Sequence, residues 1–316
     1  VDVELGEWLS LLDGEYLSDF VAGGGAAVKF VAVPDVSTAL KVREEVRRTA
    51  EERGFLVAEV DAALVRIHLM QQLFHEVARQ VPWESLARRV VRRCYGDLGM
   101  QAGEDLQVEA VAALNAVAPG PLRADLRRSL EGLLQRSHEL ARDFRYAMLW
   151  LCAAQVAPSG PDTAVLLSWL RGELRLVSAL KKFLIFRKIG RHNARAMLGS
   201  LSAWCRLAGL PGLALILDVR QLAVARRSEA GPGQVHYTVA AVMDAYEVLR
   251  QMIDSTDDLT GVLCVVVAEP ELFDDEKRGV KVYQALYTRV WPDVRLRLRA
   301  NPLSSMARLA QKGRLP

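Results

Sequence analysis

The sequence predicts an open α/β fold, a parallel sheet with a large all-helical insertion between its second and third strands. Three observations carry this expectation. Residues 28–62 read strand, helix, strand, the βαβ unit that makes parallel pairing. Residues 63–208 carry apolar side chains at helical spacing almost throughout. Residues 209–270 then return to short, fully apolar runs, the pattern of strands buried on both faces. Three segments follow: 1–62, with N-terminal helices and the first βαβ; 63–208, a helical subdomain; and 209–316, the rest of the sheet with a C-terminal segment.

The elements can be justified in order. Trp8, Leu9, Leu12 and Tyr16 suggest one or two short helices over 1–20. "AGGGAA" (22–27) is a glycine turn, and "VKFVAV" (28–33) is a strand stopped by Pro34. A helix follows with Ser37 or Thr38 as its N-cap, an apolar face of Val42, Val46 and Ala50, and Gly54 as its stop. "FLVAEVDA" (55–62) is the second strand. Ile67, Met70, Phe74 and Val77 open the helical stretch, which continues through 84–97, 105–117, 121–157, 162–182 and 191–208, with joints at "APGP" (118–121) and "APSGP" (157–161). "GLALILD" (212–218), a helix over 239–255 and "GVLCVVVAEP" (261–270) rebuild the sheet, and "RLRLRA" (295–300) reads as an edge strand.

The chain has 316 residues, 51% hydrophobic and 25% charged, enough for a sizeable core. A net charge of +3 is too small to argue for nucleic acid by itself. Cys94, Cys152, Cys205 and Cys264 are dispersed in apolar settings without a CxxC pair, so buried free thiols in a reducing compartment are expected. The start lacks a basic n-region and a signal-type apolar run, and "AMLWLCAAQVA" and "LPGLALIL" are too short to span a bilayer. A cytoplasmic protein without membrane contact is the expectation.

The turn after the first strand invites comparison with a P-loop. A working P-loop, GxxxxGK[ST], curls glycine backbone around phosphate, neutralises it with lysine and holds magnesium with a hydroxyl. Here "VPDVSTAL" (33–40) puts Val33 and Thr38 at the glycine positions, Ala39 at the lysine and Leu40 at the hydroxyl. Lys41 falls two residues late, about 200° around the helix. A second register, "GGGAAVKF" (23–30), supplies Lys29, but inside the strand rather than at a helix start. An ATPase also needs an apolar strand ending in Asp-Glu, the Asp for magnesium and the Glu for water. "LALILDVRQ" supplies Asp218 and then Val219, and the sensor position after "VVVA" is Glu269. Lys29, Ser37, Thr38, Lys41 and Asp218 are thus the residues of a vestigial nucleotide cleft, with neither catalytic residues nor a metal site assigned. Asp61 ends the second strand and is placed to approach Asp218.

Residues 194–290 carry a more specific pattern. "GLALILDV" stands where a "GL-LLDE" pattern is expected, and Tyr246, Leu249, Arg250, Ile253 and Asp254 match "AY-LR-LID". "AEPELFDDEKRGVKVYQALYTRV" matches "GTPEFF-D-GI-Y-AL-RL", and "GGGAAVKF" is similar to a "GGS" turn before the first strand. With these motifs the chain resembles, over roughly 15–300, the ATP-binding proteins of bacterial BREX phage-exclusion systems and their P-loop relatives. The resemblance implies a P-loop NTPase-like, AAA-like sheet and work beside DNA-modification and defence machinery. The departures fall on the catalytic positions, while packing and turn residues remain.

Three readings stay open. The first is a pseudo-ATPase scaffold or regulatory subunit with protein partners, such as an active ATPase, and without a cofactor. Side chains of Val36, Thr38 and Ala39 filling the phosphate position would favour it. The second is an atypical ATP-binding protein using Mg-ATP with Lys29 or Lys41 and Asp218. The third is a DNA-binding adaptor using Arg88, Arg92, Lys181, Lys182, Lys188 and Arg191, which form basic clusters with Arg89, Arg93, Arg187 and Arg195. The plainer account of those clusters is solvated helix faces paired with Glu and Asp. Arg295, Arg297, Arg299, Arg308, Lys312 and Arg314 add positive charge near the C-terminus. His68 and His75 lie seven apart, too far for a shared metal without other ligands. Trp83, Trp150, Trp169 and Trp204 read as core, and Arg289 is a positional candidate for an arginine finger.

Overall fold

The computed structural model describes residues 2–157, 162–290 and 304–310. In chain order, β1 (Asp2–Val3) leads into α1 (Leu5–Leu11) and a π-helical segment, Leu12–Phe20. β2 (Ala26–Ala32), α2 (Val36–Glu52), β3 (Leu56–Asp61) and α3 (Met70–Gln80) follow. Next come α4 (Trp83–Asp97), α5 (Val108–Leu114), α6 (Pro119–Arg136), α7 (Arg142–Gln155), α8 (Ala164–Leu170) and α9 (Ala194–Leu207). The chain then forms β4 (Leu213–Asp218), α10 (Val239–Asp254), β5 (Val262–Ala268), α11 (Glu271–Asp274), α12 (Gln284–Val290) and β6 (Met306–Leu309). Contacts divide it into two compact units, residues 1–77 with 211–316, and residues 78–210.

The first unit is an α/β layer structure. Its six-stranded sheet runs β1-β6-β2-β5-β4-β3, and every neighbouring pair is parallel. β4 and β5 are buried at every residue, as their unbroken apolar runs require. One face packs on α2 through Ala39, Val42, Val46 and Ala50, and on the N-terminal helices through Trp8, Leu12 and Leu17. β2 and β5 are neighbours whose connections leave in opposite directions, β2 toward β3 and β5 toward β6. Such a switch point opens a crevice at the carboxyl ends of the strands. The register brings Ala32 beside Ala268, Val267 beside Asp218, and Asp218 beside Asp61, so both acids sit on that edge. At the opposite edge a Cβ on Gly212 would lie 1.9 Å from the Gly261 carbonyl oxygen, so only glycine admits this approach.

A buried arginine ties the turns around the sheet. Arg278 is 7% exposed and donates to the carbonyls of Tyr237 (2.8 Å), Leu222 (3.2 Å) and Ala225 (3.5 Å). Its own carbonyl accepts from the Tyr246 hydroxyl at 2.6 Å. Asp275 shapes the turn by accepting from the backbone N–H groups of Lys277 and Arg278, each at 2.7 Å. The motif "FDDEKRG" therefore serves packing.

The second unit is helical. α4 buries Trp83, Leu86, Val90 and Cys94, and α6 buries a four-residue ladder of Leu122, Leu126, Leu130 and Leu134. Two expectations are corrected here. The helix foreseen over 121–157 is two helices, parted at 137–141, where the Ser137 hydroxyl donates to the Leu133 carbonyl and the Ala141 N–H donates to the Ser200 hydroxyl. Trp83, Trp169 and Trp204 are core, but Trp150 is only half-buried, set edge-on to Phe183. All four cysteines are buried free thiols. In the first unit, the cap expected at Ser37 or Thr38 is Asp35, whose carboxylate accepts from the Thr38 N–H at 2.7 Å. The strand expected over 295–300 lies outside the described residues, as do Arg295, Arg297, Arg299, Lys312 and Arg314. The strand beside β2 is β6.

Replacing Arg278 with Met leaves three carbonyls without their shared donor. Urea unfolding is expected to report a loss of about 3 kcal/mol, and a loss below about 1 kcal/mol would contradict the tie.

Candidate functional site

The crevice at the carboxyl edge is bounded by the β2–α2 connection, the end of β3, the end of β4 and Glu269 after β5. The β2–α2 connection is only Val33, Pro34 and Asp35. The Val33 N–H is spent on the Ala268 carbonyl at 2.9 Å. Pro34 has no N–H to offer. The start of α2 concentrates the positive end of the helix dipole, where a P-loop would hold phosphate. Here the Asp35 carboxylate takes that place. Hydrogen bonding, chiefly from the Thr38 backbone, holds its pKa below the ordinary aspartate value. Thus a carboxylate meets the helix start, and the filling by Val36, Thr38 and Ala39 that would have favoured the pseudo-ATPase reading is not what the structure has; Val36 is 60% exposed and Ala39 is packed beneath the helix.

Asp218 lies deeper and is 2% exposed. Its Oδ1 accepts from the Arg220 backbone N–H at 3.1 Å and from Arg220 Nε at 3.0 Å. Its Oδ2 accepts from an Arg220 terminal nitrogen at 2.7 Å and from an Arg43 terminal nitrogen at 3.2 Å. Arg43 comes from α2 and also reaches Glu59 (3.1 Å) and Asp61 (3.5 Å) on β3, while Arg47 one turn on reaches Glu59 at 3.3 Å. Three guanidinia, of Arg43, Arg47 and Arg220, thus face three carboxylates, of Glu59, Asp61 and Asp218. Hydrogen bonding to Asp218 raises the Arg220 pKa further. Both Asp218 oxygens are engaged by cationic donors, the position a magnesium shell would need.

The expected cleft residues separate. Lys29 is 7% exposed in the interior of β2, donates to the Ser304 carbonyl at 3.3 Å, and lies 4.2 Å from the Tyr16 ring centroid. Lys41 is exposed on α2, Ser37 is exposed and Thr38 is half-buried on its first turn. Asp218 alone sits in the crevice among carboxylate and arginine partners. Arg43 and Arg220 are the residues that sequence reasoning missed. Glu269 is half-buried, and desolvation pushes its pKa up against the opposing pull of Arg220. The residues present do not fit a magnesium triphosphate: the turn offers no cradle, a carboxylate caps the helix, and the acid is held by arginines.

Arg289 pairs with Asp254 and donates to the Ala285 carbonyl. In the helical unit, Arg88 and Arg92 donate to the carbonyls of Glu104 and Gly103, and Arg89 and Arg93 to those of Ala208 and Leu207. Lys181, Lys182, Lys188 and Arg191 are exposed; Lys182 lies 4.9 Å from the Phe183 ring and Arg191 donates to the His192 ring at 3.2 Å. The His68 ring sits 5.6 Å from that of Tyr237, and among the described residues no cluster of His, Cys, Asp or Glu is arranged to hold a metal.

A raised carboxylate pKa means that ionised Glu269 costs folding free energy once the pH exceeds the ordinary glutamate value. Glu269→Gln is therefore expected to raise the unfolding midpoint at pH 7, with the gain fading as pH falls through the glutamate range. A loss at pH 7 would contradict the desolvated placement.

No curated protein and no solved structure matches the chain significantly. One family model does match, that of the BREX system ATP-binding protein BrxC/D, over residues 18–311. That match spans nearly the whole chain, and with it the protein belongs to the BREX system ATP-binding protein BrxC/D family.

Proposed function

We propose that this chain is a pseudo-ATPase, a scaffold or regulatory subunit of a BREX phage-defence system that acts through protein contacts rather than nucleotide turnover. In this reading the parallel sheet is a P-loop NTPase-like core and the helical unit is an insertion between β3 and β4. The observation that carries the proposal is Asp218, whose two oxygens are satisfied by Arg43 and Arg220. Magnesium would have to displace Arg43 or Arg220 from Asp218, and Arg220, once displaced, would lose its carboxylate partner. A triphosphate would meet the Asp35 carboxylate. Family membership supports a role beside other subunits of the system, including one that is catalytically active.

A nucleic-acid contact is a second reading. It draws on Lys181, Lys182 and Lys188, which have no carboxylate partner among the described residues. Arg88 and Arg92 are weaker supports for it, since their guanidinia hold loop carbonyls.

Thermal unfolding with Mg-ATP tests the main reading. A ligand at 100 times its Kd stabilises a protein by about 2.7 kcal/mol. The midpoint is expected to be the same with and without millimolar Mg-ATP. A saturable upward shift would overturn the pseudo-ATPase reading. Its abolition by Lys29→Ala or Lys41→Ala would identify the atypical ATP site.

A further inference from the structure

The helical unit carries an open groove apart from the crevice. Two neighbouring cavities, of about 370 and 320 Å³, lie along α6 and α7 and share Glu131 and Leu149 in their linings. The floor of the groove is apolar: Leu126, Leu130 and Leu134 from α6, and Leu149, Trp150 and Ala153 from α7. Leu149, Trp150 and Ala153 stay partly open to solvent, although their neighbours on α7 are core. The α6 leucines are themselves buried, so the apolar surface left open along the groove is that of Leu149, Trp150 and Ala153.

The rim tells what would cover it. Arg123, Arg127, Arg142 and Arg145 line the groove, against a single acid, Glu131. Arg127 is paired with Glu131 at 2.8 Å, and Arg123 is paired with Glu109. Arg142 and Arg145 have no carboxylate partner among the described residues. Arg142 instead lies 5.5 Å from the Tyr146 ring. The α6 stretch from Arg123 to Gln135 is about 18 Å long. That length suits three turns of helix. The apolar floor is wrong for a phosphate backbone, and the unpaired arginines are wrong for a neutral or basic helix.

We propose that the α6–α7 groove is a docking site for an amphipathic helix of a partner protein, about twelve residues long. Its apolar side chains, spaced i, i+3 or i+4 and i+7, fill the groove. Glu or Asp on its flanks pair with Arg142 and Arg145. The helical unit then serves as the recognition arm, independently of whether the crevice holds nucleotide. Trp150, set edge-on to Phe183, is the anchor surface, and the arginines set orientation and salt sensitivity.

The test uses a fluorescein-labelled 14-residue helical peptide with Leu on one face and Glu on the other, titrated against the full chain by anisotropy. Saturable binding that weakens with salt is expected. A peptide with Lys in place of Glu is expected to bind at least about tenfold more weakly. Arg142→Glu/Arg145→Glu, two substitutions at the rim, is expected to cost about tenfold and flatten the salt dependence. Leu149→Glu, checked for folding by circular dichroism, is expected to abolish binding. Equal binding of the Lys peptide, or no effect of the arginine pair, would overturn the proposal. Binding of dodecanoate at Trp150 without any peptide binding would overturn it in favour of an acyl ligand.

Discussion

The carboxyl edge of the sheet depends on one buried carboxylate, Asp218, held between Arg43 and Arg220. The pair joins α2, the end of β4 and, through Glu59 and Asp61, the end of β3. A carboxylate so deep needs opposite charge and hydrogen bonds on both oxygens, and breaking such a set costs about 3–5 kcal/mol. In a nucleotide-hydrolysing sheet a metal ion and its waters supply that compensation. Here the chain supplies it with its own side chains. Asp35 likewise accepts a backbone N–H at the start of α2. The two arrangements are alike: Arg43 and Arg220 satisfy a buried carboxylate, and Asp35 satisfies a helix start.

The turns around the sheet are held in the same way, by the chain's own side chains. Arg278, Tyr246 and Asp275 hold turns against the sheet through hydrogen bonds to carbonyls and backbone N–H groups. Glu247 is drawn down to a pKa of about 2, first by its hydrogen bond with Arg250 and also by those from Tyr283 and Gln251, fixing α10 against the segment before α12. Arg289 belongs to the same surface network through Asp254. Such ties stabilise the fold whether or not nucleotide binds.

Much of the sheet was legible because strands buried on both faces leave unbroken apolar runs, as at 212–218 and 261–270. β1 was not, since two residues carry no periodicity. Asp218 was legible as an acid ending a strand. Its partners were not read, although a signal existed. Glu59 and Asp61 alternate onto one face of β3, and Arg43 and Arg47 are four apart on one face of α2. A helix and strand adjacent in a βαβ unit turn those faces toward each other, so matching period two against period four would have found the network. The cap was misread because Asp, Ser and Thr all cap well. Asp35 is the residue whose carboxylate reaches the third helical N–H. Lys29 was correctly placed inside a strand, but its seat over Tyr16 depends on the packing of the N-terminal π-helical segment, a long-range fact.

The claim that the protein's own ions close this edge is tested most directly by a double-mutant cycle between Arg43→Met and Asp218→Asn, read by urea unfolding. The account expects each single variant to be destabilised and the two to couple by about 1 kcal/mol or more. Strict additivity would contradict it, because Arg43 would then contribute nothing to holding Asp218, and the crevice would lack the internal compensation on which the proposed loss of nucleotide chemistry rests.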